Sequence, residues 1–268
     1  MRSKLLSFPI WGSWILLMGL SSALLTNGNA HNFKRSENEW FMKEKKSTRQ
    51  DKEGIINLPS PSYRGTVSVE ESLLLRRSVR DYENRALTLQ QVSQLLWAAY
   101  GVTKEISSPS FLRGGLKTAP SAGALYPLEI YLVAGDVEGL PAGIYKFIPA
   151  GHQLELIIEE DVRKSLARAA YNQTFVGKAP VALFYSAIYE RTTRKYGERG
   201  RSRYVCMDLG HSAQNVYLQA VAMGLGTCAV GAFNNEMVSN VMMLPRKEEP
   251  LYIMPVGYPG EKARIEHR

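Results

Sequence analysis

The 268 residues predict an α+β fold in which a mixed sheet is packed by helices. Two observations carry this. Segments with helical period are interspersed with short apolar strands, and two of those strands, 144–148 and 154–158, flank the turn-forming residues Pro149, Gly151 and His152, so they read as a hairpin. A hairpin is antiparallel by construction, which argues against a purely parallel sheet. With 45% hydrophobic residues the chain can bury a substantial core.

From the N-terminus, Arg2 and Lys4 precede a mostly apolar run at 5–25, and the small residues Gly28 and Ala30 flank a cleavage position. That is the order of a secretory signal in residues 1–30. Left uncleaved, the run is long enough to anchor the chain in a membrane, although Pro9 and Gly12 make it a poor membrane helix. Either way the chain is expected to be exported, or anchored by residues 5–25. Residues 31–54 are polar and charged without an apolar period and read as a tether, leaving 55–268 as the folded domain.

Ser68 followed by Glu71 is a capping box that opens a short helix through Leu73, Leu74 and Leu75. Thr88 and Gln91 repeat the device, and Val92, Leu95, Leu96 and Ala99 then form an amphipathic helix that stops at Gly101. After a glycine-containing loop at 113–115, residues 128–134 read as a buried strand, and the hairpin follows. A helix over 162–170 precedes a second buried strand at 181–188. The longest helical pattern carries Val205, Leu209, Val216, Ala220 and Met223 and closes at Gly224 and Gly226. Residues 227–233 form a small-residue strand or loop, Asn234 caps a helix through Val241, and 251–256 is the last strand.

The net charge of +8 suits an anionic partner, a phosphate-bearing cofactor, a nucleic acid or a lipid surface, without choosing among them. Cys206 and Cys228 lack metal-type spacing; both read as core thiols, with a disulfide between them the open alternative. His31 and His267 lie near the ends, so a histidine-based metal site is not expected.

Four clusters can carry chemistry. Arg76, Arg77, Ser78 and Arg80 offer guanidinium forks to a phosphate or to the carbonyl edge of a heterocycle, against the plainer role of offsetting a helix dipole. Pro120, Ser121, Ala122, Gly123 and Ala124 form a small-residue loop that a flat ligand can approach. Gly231 and Ala232 have the same character. The GxG at 224–226 follows a helix, so it fails the context of a dinucleotide fingerprint. Lys262 and Arg264, two apart in an extended tail, would share one side and grip a phosphate together.

In order and spacing, SLLLRRSVRDY at 72–82, QLLWAAYGVT at 94–103, PSAGALYPLEIYLV at 120–133 and DLGHSAQNVYLQAVAMGLGT at 208–227 resemble the nitroreductase superfamily. Within it they resemble the SagB/ThcOx branch, FMN dehydrogenases associated with thiazole and oxazole formation in peptides. The resemblance implies a homodimer with FMN at its interface. Arg76, Arg77, Ser78 and Arg80 would bind the phosphate, ribityl chain and pyrimidine edge, completed by Lys262 and Arg264. Pro120, Ser121, Ala122 and Gly123 would approach the flavin from the second subunit, and Gly231 and Ala232 would lie beside its N5. Ala124 falls where typical nitroreductases carry asparagine, a departure that favours the branch over small-molecule reductases.

In this reading the flavin accepts a hydride from an organic substrate, an azoline peptide being one class, and a side chain must take a proton. Lys195 and Tyr196, in the basic stretch 191–203, are the candidates, against the plainer reading of a solvated loop. An NAD(P)H-dependent reductase of small molecules is the alternative, and it requires access to cytoplasmic nicotinamide. A non-catalytic flavin-binding or nucleic-acid-binding module is suggested by charge alone, and Tyr196 with Tyr204 makes no stacking platform by itself.

Overall fold

A computed structural model describes residues 54–266, with side chains through residue 263. The expected signal and tether at 1–53 lie outside the described residues. In chain order the strands are β1 (Ile55–Asn57), β2 (Leu87–Thr88), β3 (Val102–Glu105), β4 (Gly115–Lys117), β5 (Leu128–Ala134), β6 (Val137–Glu138), β7 (Gly143–Ile148), β8 (Gln153–Ile158), β9 (Val181–Ala187), β10 (Gly226–Thr227) and β11 (Glu249–Gly257). The α-helices are α1 (Val69–Leu75), α2 (Leu89–Tyr100), α3 (Arg163–Ala169), α4 (Thr174–Lys178), α5 (Glu190–Tyr196), α6 (Val205–Ala222), α7 (Asn235–Val241) and α8 (Glu261–Glu266).

The α+β expectation holds. The main sheet has the order β1-β8-β7-β5-β9-β11-β10, and its pairings are antiparallel. Among the described residues, parallel pairing is confined to the short β2–β6 ladder and a bridge between Ser78 and Thr227. Successive side chains of a strand face opposite sides, and both sides are covered here. Ile130, Leu132, Leu183 and Tyr185 face α2 and α6, while Tyr131, Val133, Ala182 and Phe184 face α3, α4 and α7. This double cover is why 128–134 and 181–187 are apolar on both faces, apart from Glu129 and Ser186.

Local signals explain the element ends. Thr88 and Gln91 make the full capping box, and the Gly101 amide closes α2 on the Trp97 carbonyl at 2.7 Å. Ser68 accepts the Glu71 amide at 3.0 Å, and Asn234 accepts that of Met237 at 2.9 Å. Three expectations are corrected. Lys262 and Arg264 sit in the helix α8, where positions two apart do not share a face, so the shared-side grip fails. Cys206 is exposed because it lies on the outer side of α6, whereas Cys228 is buried; both are free thiols. The basic stretch is ordered into α5 and a π-helical turn at Gly200–Tyr204. Among the described residues no helix is long and apolar enough to cross a membrane.

Candidate functional site

Helix α6 organises the site, and the sequence clusters divide between its two ends. At its C-terminal end, the run after α1 is laid against β10: the Val79 amide donates to the Thr227 carbonyl at 2.9 Å, and Ser78 bridges Thr227. The same run pairs with the last turn of the chain, since Glu83 donates to the Tyr258 carbonyl and Gly260 to that of Asp81, both at 2.9 Å. Tyr217, from α6, accepts the Ala229 amide at 2.7 Å and stands 3.4 Å from the Ser78 hydroxyl. The Arg76 guanidinium lies 5.3 Å over its ring.

These contacts bring the arginine run, β10 with Ala229 beyond it, and the turn at 258–260 to one place. A cavity of about 220 Å³ is lined by Arg77, Tyr217, Gly226, Thr227, Pro259 and Ala263. Among the described residues no carboxylate forms an ion pair with Arg76, Arg77 or Arg80. Arg77 instead donates to the Leu74 and Arg76 carbonyls at 2.9 Å. The Thr227 hydroxyl is buried without a hydrogen-bond partner. Uncompensated guanidiniums around an unsatisfied buried hydroxyl suit an anionic oxygen ligand. Gly231 and Ala232 are exposed just beyond Val230, which pairs with Ile253, and Lys262 is exposed on α8.

At the N-terminal end of α6, Asp208 is only 2% exposed. It accepts the Ser121 hydroxyl at 2.5 Å and the Ala122 amide at 3.2 Å, while the Ser121 oxygen accepts the Tyr126 amide at 2.9 Å. Burial pushes the Asp208 carboxyl above its usual range, and the Ser121 and Ala122 hydrogen bonds oppose that. The polar groups of Ser121 and Ala122 are thus spent inward, and Pro120 and Gly123 form the loop's exposed surface. Gly123 has φ +63°, and a methyl group there would stand 2.7 Å from the Tyr196 hydroxyl and 3.1 Å from Lys195 Nζ. Lys195 and Tyr196, at the end of α5, therefore meet this loop; Lys195 is exposed and Tyr196 half-buried.

Sequence reasoning missed Asp208, Arg191 and Tyr217. Asp208 had a readable signal, a lone acid one residue before Leu209 on the apolar side of the helix pattern. Tyr217 had none, because its value lies in contacts with residues far away in sequence. A larger groove, about 790 Å³, lies outside α2 and α6 and is lined by Tyr63, Gln94, Trp97, Asn215, Gln219 and Met223 among others.

A sheet of this order, with the arginine run at one end of its central helix and the small-residue loop at the other, defines an α+β scaffold with a candidate anion-binding site. Residues 73–258 match the Nitroreductase family, and the chain belongs to that family of oxidoreductases. A Methanocaldococcus jannaschii protein with a provisional nitroreductase name is 50% identical over 191 residues, 71% of this chain and 91% of that one. The microcin B17-processing protein McbC of Escherichia coli is 30% identical over 135 residues, covering 48% of each chain. Among solved structures, a provisionally named nitroreductase of Ralstonia eutropha superposes with a TM-score of 0.66 at 31% identity, covering 78% of this chain and 91% of that one.

Proposed function

We propose that the chain is an FMN-dependent dehydrogenase of the SagB/ThcOx type that works as a homodimer on an organic substrate, with azoline-bearing peptides the first class to test. The observation that carries this is the division of the clusters along α6. Asp208 and Tyr217 are nine residues apart, roughly 14 Å along the axis at about 1.5 Å per residue. The arginine end and the loop end of one copy are thus poorly placed to clasp one flat ligand, whereas a two-fold axis across α6 would set the loop of one copy against the arginines of the other. Val69, Leu73 and Leu74 are 64%, 54% and 71% exposed on α1, an apolar surface suited to such a second copy.

Arg76, Arg77, Ser78 and Arg80 would hold the FMN phosphate and polar edge. Gly231 and Ala232 would flank the ring, and Pro120 and Gly123 of the second copy would close over it. FMN, when bound, supplies the hydride acceptor. Lys195 and Tyr196 would take up the proton released next to the substrate's azoline ring, since both project at the exposed apex of the loop. The likeness to McbC supports this branch. Residues 1–30 would export or anchor the enzyme, which would then pass electrons to oxygen, a quinone or a redox protein.

A second reading, an NAD(P)H-dependent reductase, is favoured by 22% identity over 212 residues to the NADPH-dependent FMN reductase of Bacillus subtilis. Anaerobic stopped-flow bleaching of the FMN-loaded protein separates the two. The proposal predicts faster reduction by an azoline peptide than by NADH or NADPH. Rapid bleaching by a nicotinamide, with none by any azoline peptide, would establish the reductase reading instead.

A further inference from the structure

The loop at 121–126 and helix α5 are joined by a second contact besides the meeting of Gly123 with Lys195 and Tyr196. Arg191, in the first turn of α5, donates from Nη1 to the Tyr126 carbonyl at 3.0 Å. Its other terminal nitrogen pairs with Glu129, in β5, with both side chains largely buried at 17% and 14% exposure. Glu129 also meets Lys146 at 2.9 Å, and Lys146 meets Glu248 at 3.0 Å. Glu248 is fully buried and accepts the hydroxyls of Tyr131 at 2.8 Å and Ser186 at 2.7 Å. Charges of alternating sign therefore run from Glu248 across β7 and β5 and end on the Arg191 guanidinium.

This chain of charges has no role in binding an anion, since each cation in it already faces a carboxylate. Its geometry concerns placement. One planar guanidinium grips the helix, the end of the loop and the strand that follows it, a two-point hold that needs the fork of arginine. The opposite end of the loop is tied to Asp208 through Ser121. With both loop ends fixed, and α5 fixed at its start, the position of Lys195 and Tyr196 over Gly123 is set by rigid parts.

We propose that Arg191 is a positioning residue for Lys195 and Tyr196, holding α5 so that both meet the loop apex. The proposal rests on the reading that this pair handles the proton. In the sequence Arg191 is indistinguishable from the solvent-facing arginines of the same stretch. Its partners, at 126 and 129, are more than sixty residues away.

The test uses the FMN-loaded full chain with Arg191→Lys, which keeps a charge for Glu129 but loses the fork, and with Arg191→Gln. Hydrogen exchange of the peptide covering 190–197 is the first readout, because a held helix opens less often. Both variants should exchange there about tenfold faster while retaining FMN, with lysine the milder. Substrate-driven flavin reduction should fall by about tenfold in kcat with little change in KM, since misplacement by a fraction of an ångström acts on the reacting geometry. In a Lys195→Ala, Tyr196→Phe background, adding Arg191→Lys should cause no further loss. Unchanged exchange over 190–197 in both variants would overturn the proposal, as would a full additional loss in the double background. If exchange rises but Lys195→Ala and Tyr196→Phe leave reduction untouched, the hold on α5 stands and it is the proton-handling reading that falls.

Discussion

The two ends of α6 are built on opposite principles. At the N-terminal end the buried carboxylates have their partners inside the chain: Asp208 takes Ser121 and Ala122, and Glu129 takes Arg191 and Lys146. At the C-terminal end Arg76, Arg77 and Arg80 have no carboxylate counter-ion among the described residues, and the Thr227 hydroxyl is buried without a partner. The charges of the first end are satisfied without a ligand, although the Tyr100 and Thr192 hydroxyls there are buried without a partner, and that end can serve as a rigid frame. The second leaves its guanidiniums to water until an anion arrives, and that asymmetry is what separates a positioning region from a binding region.

The comparison can be broken most easily at the finished end, where substitutions should act on folding. Glu248→Ala leaves the buried Tyr131 and Ser186 hydroxyls without their acceptor and Lys146 with Glu129 alone, and should destabilise the protein by about 3–5 kcal/mol. Denaturant unfolding measures it, and a change near zero would mean that the charge chain is not a frame. Asp208→Ala leaves the Ser121 hydroxyl and Ala122 amide without their acceptor and should cost about 2–3 kcal/mol in the same assay.

At the unsatisfied end the same assay should be nearly silent. Arg76→Ala should leave unfolding of the FMN-free chain unchanged and weaken FMN retention by about 1.5–3 kcal/mol, read by flavin titration. Unchanged affinity would move the phosphate site elsewhere.

The smallest effect sharpens the contrast by pH. His152 lies 2.6 Å from the Ser93 hydroxyl and 3.1 Å from the Pro59 carbonyl, and burial holds its pKa below the usual 6.5. Between the folded and unfolded values the unfolded chain binds more protons, so stability rises with pH there. The contribution is complete above about 6.5 and is lost as pH falls through the folded value. His152→Asn, which tolerates the left-handed φ of +49°, should flatten that part of the profile. Identical slopes in the two proteins would exclude the effect.

Much of the finished scaffold was legible in the residue order. Short apolar runs located β5, β7, β8 and β9, and period-3.6 patterns located α2 and α6, because burial on a regular element leaves a trace in the residue order. Caps at Thr88 and Asn234 marked helix starts for the same local reason. The expected extended tail failed at Lys262 because six residues carry too little period to separate a short helix from a strand. The exposure of Cys206 was hidden by neighbours that belong to the apolar side of α6. For the site, the arginine run and the loop were visible as composition and Asp208 as a lone acid on the apolar side of α6, whereas Tyr217 and Arg191 act through partners 139 and 65 residues away and leave no local mark.

The central claim is that the unsatisfied end of one copy and the finished end of another enclose one flavin. Sedimentation of the full chain, followed at the flavin absorbance after titration with FMN, tests it most directly. The account predicts one FMN per chain, sedimenting at the mass of two chains. A colourless chain that takes up no FMN, or FMN held tightly by a single chain, would contradict it.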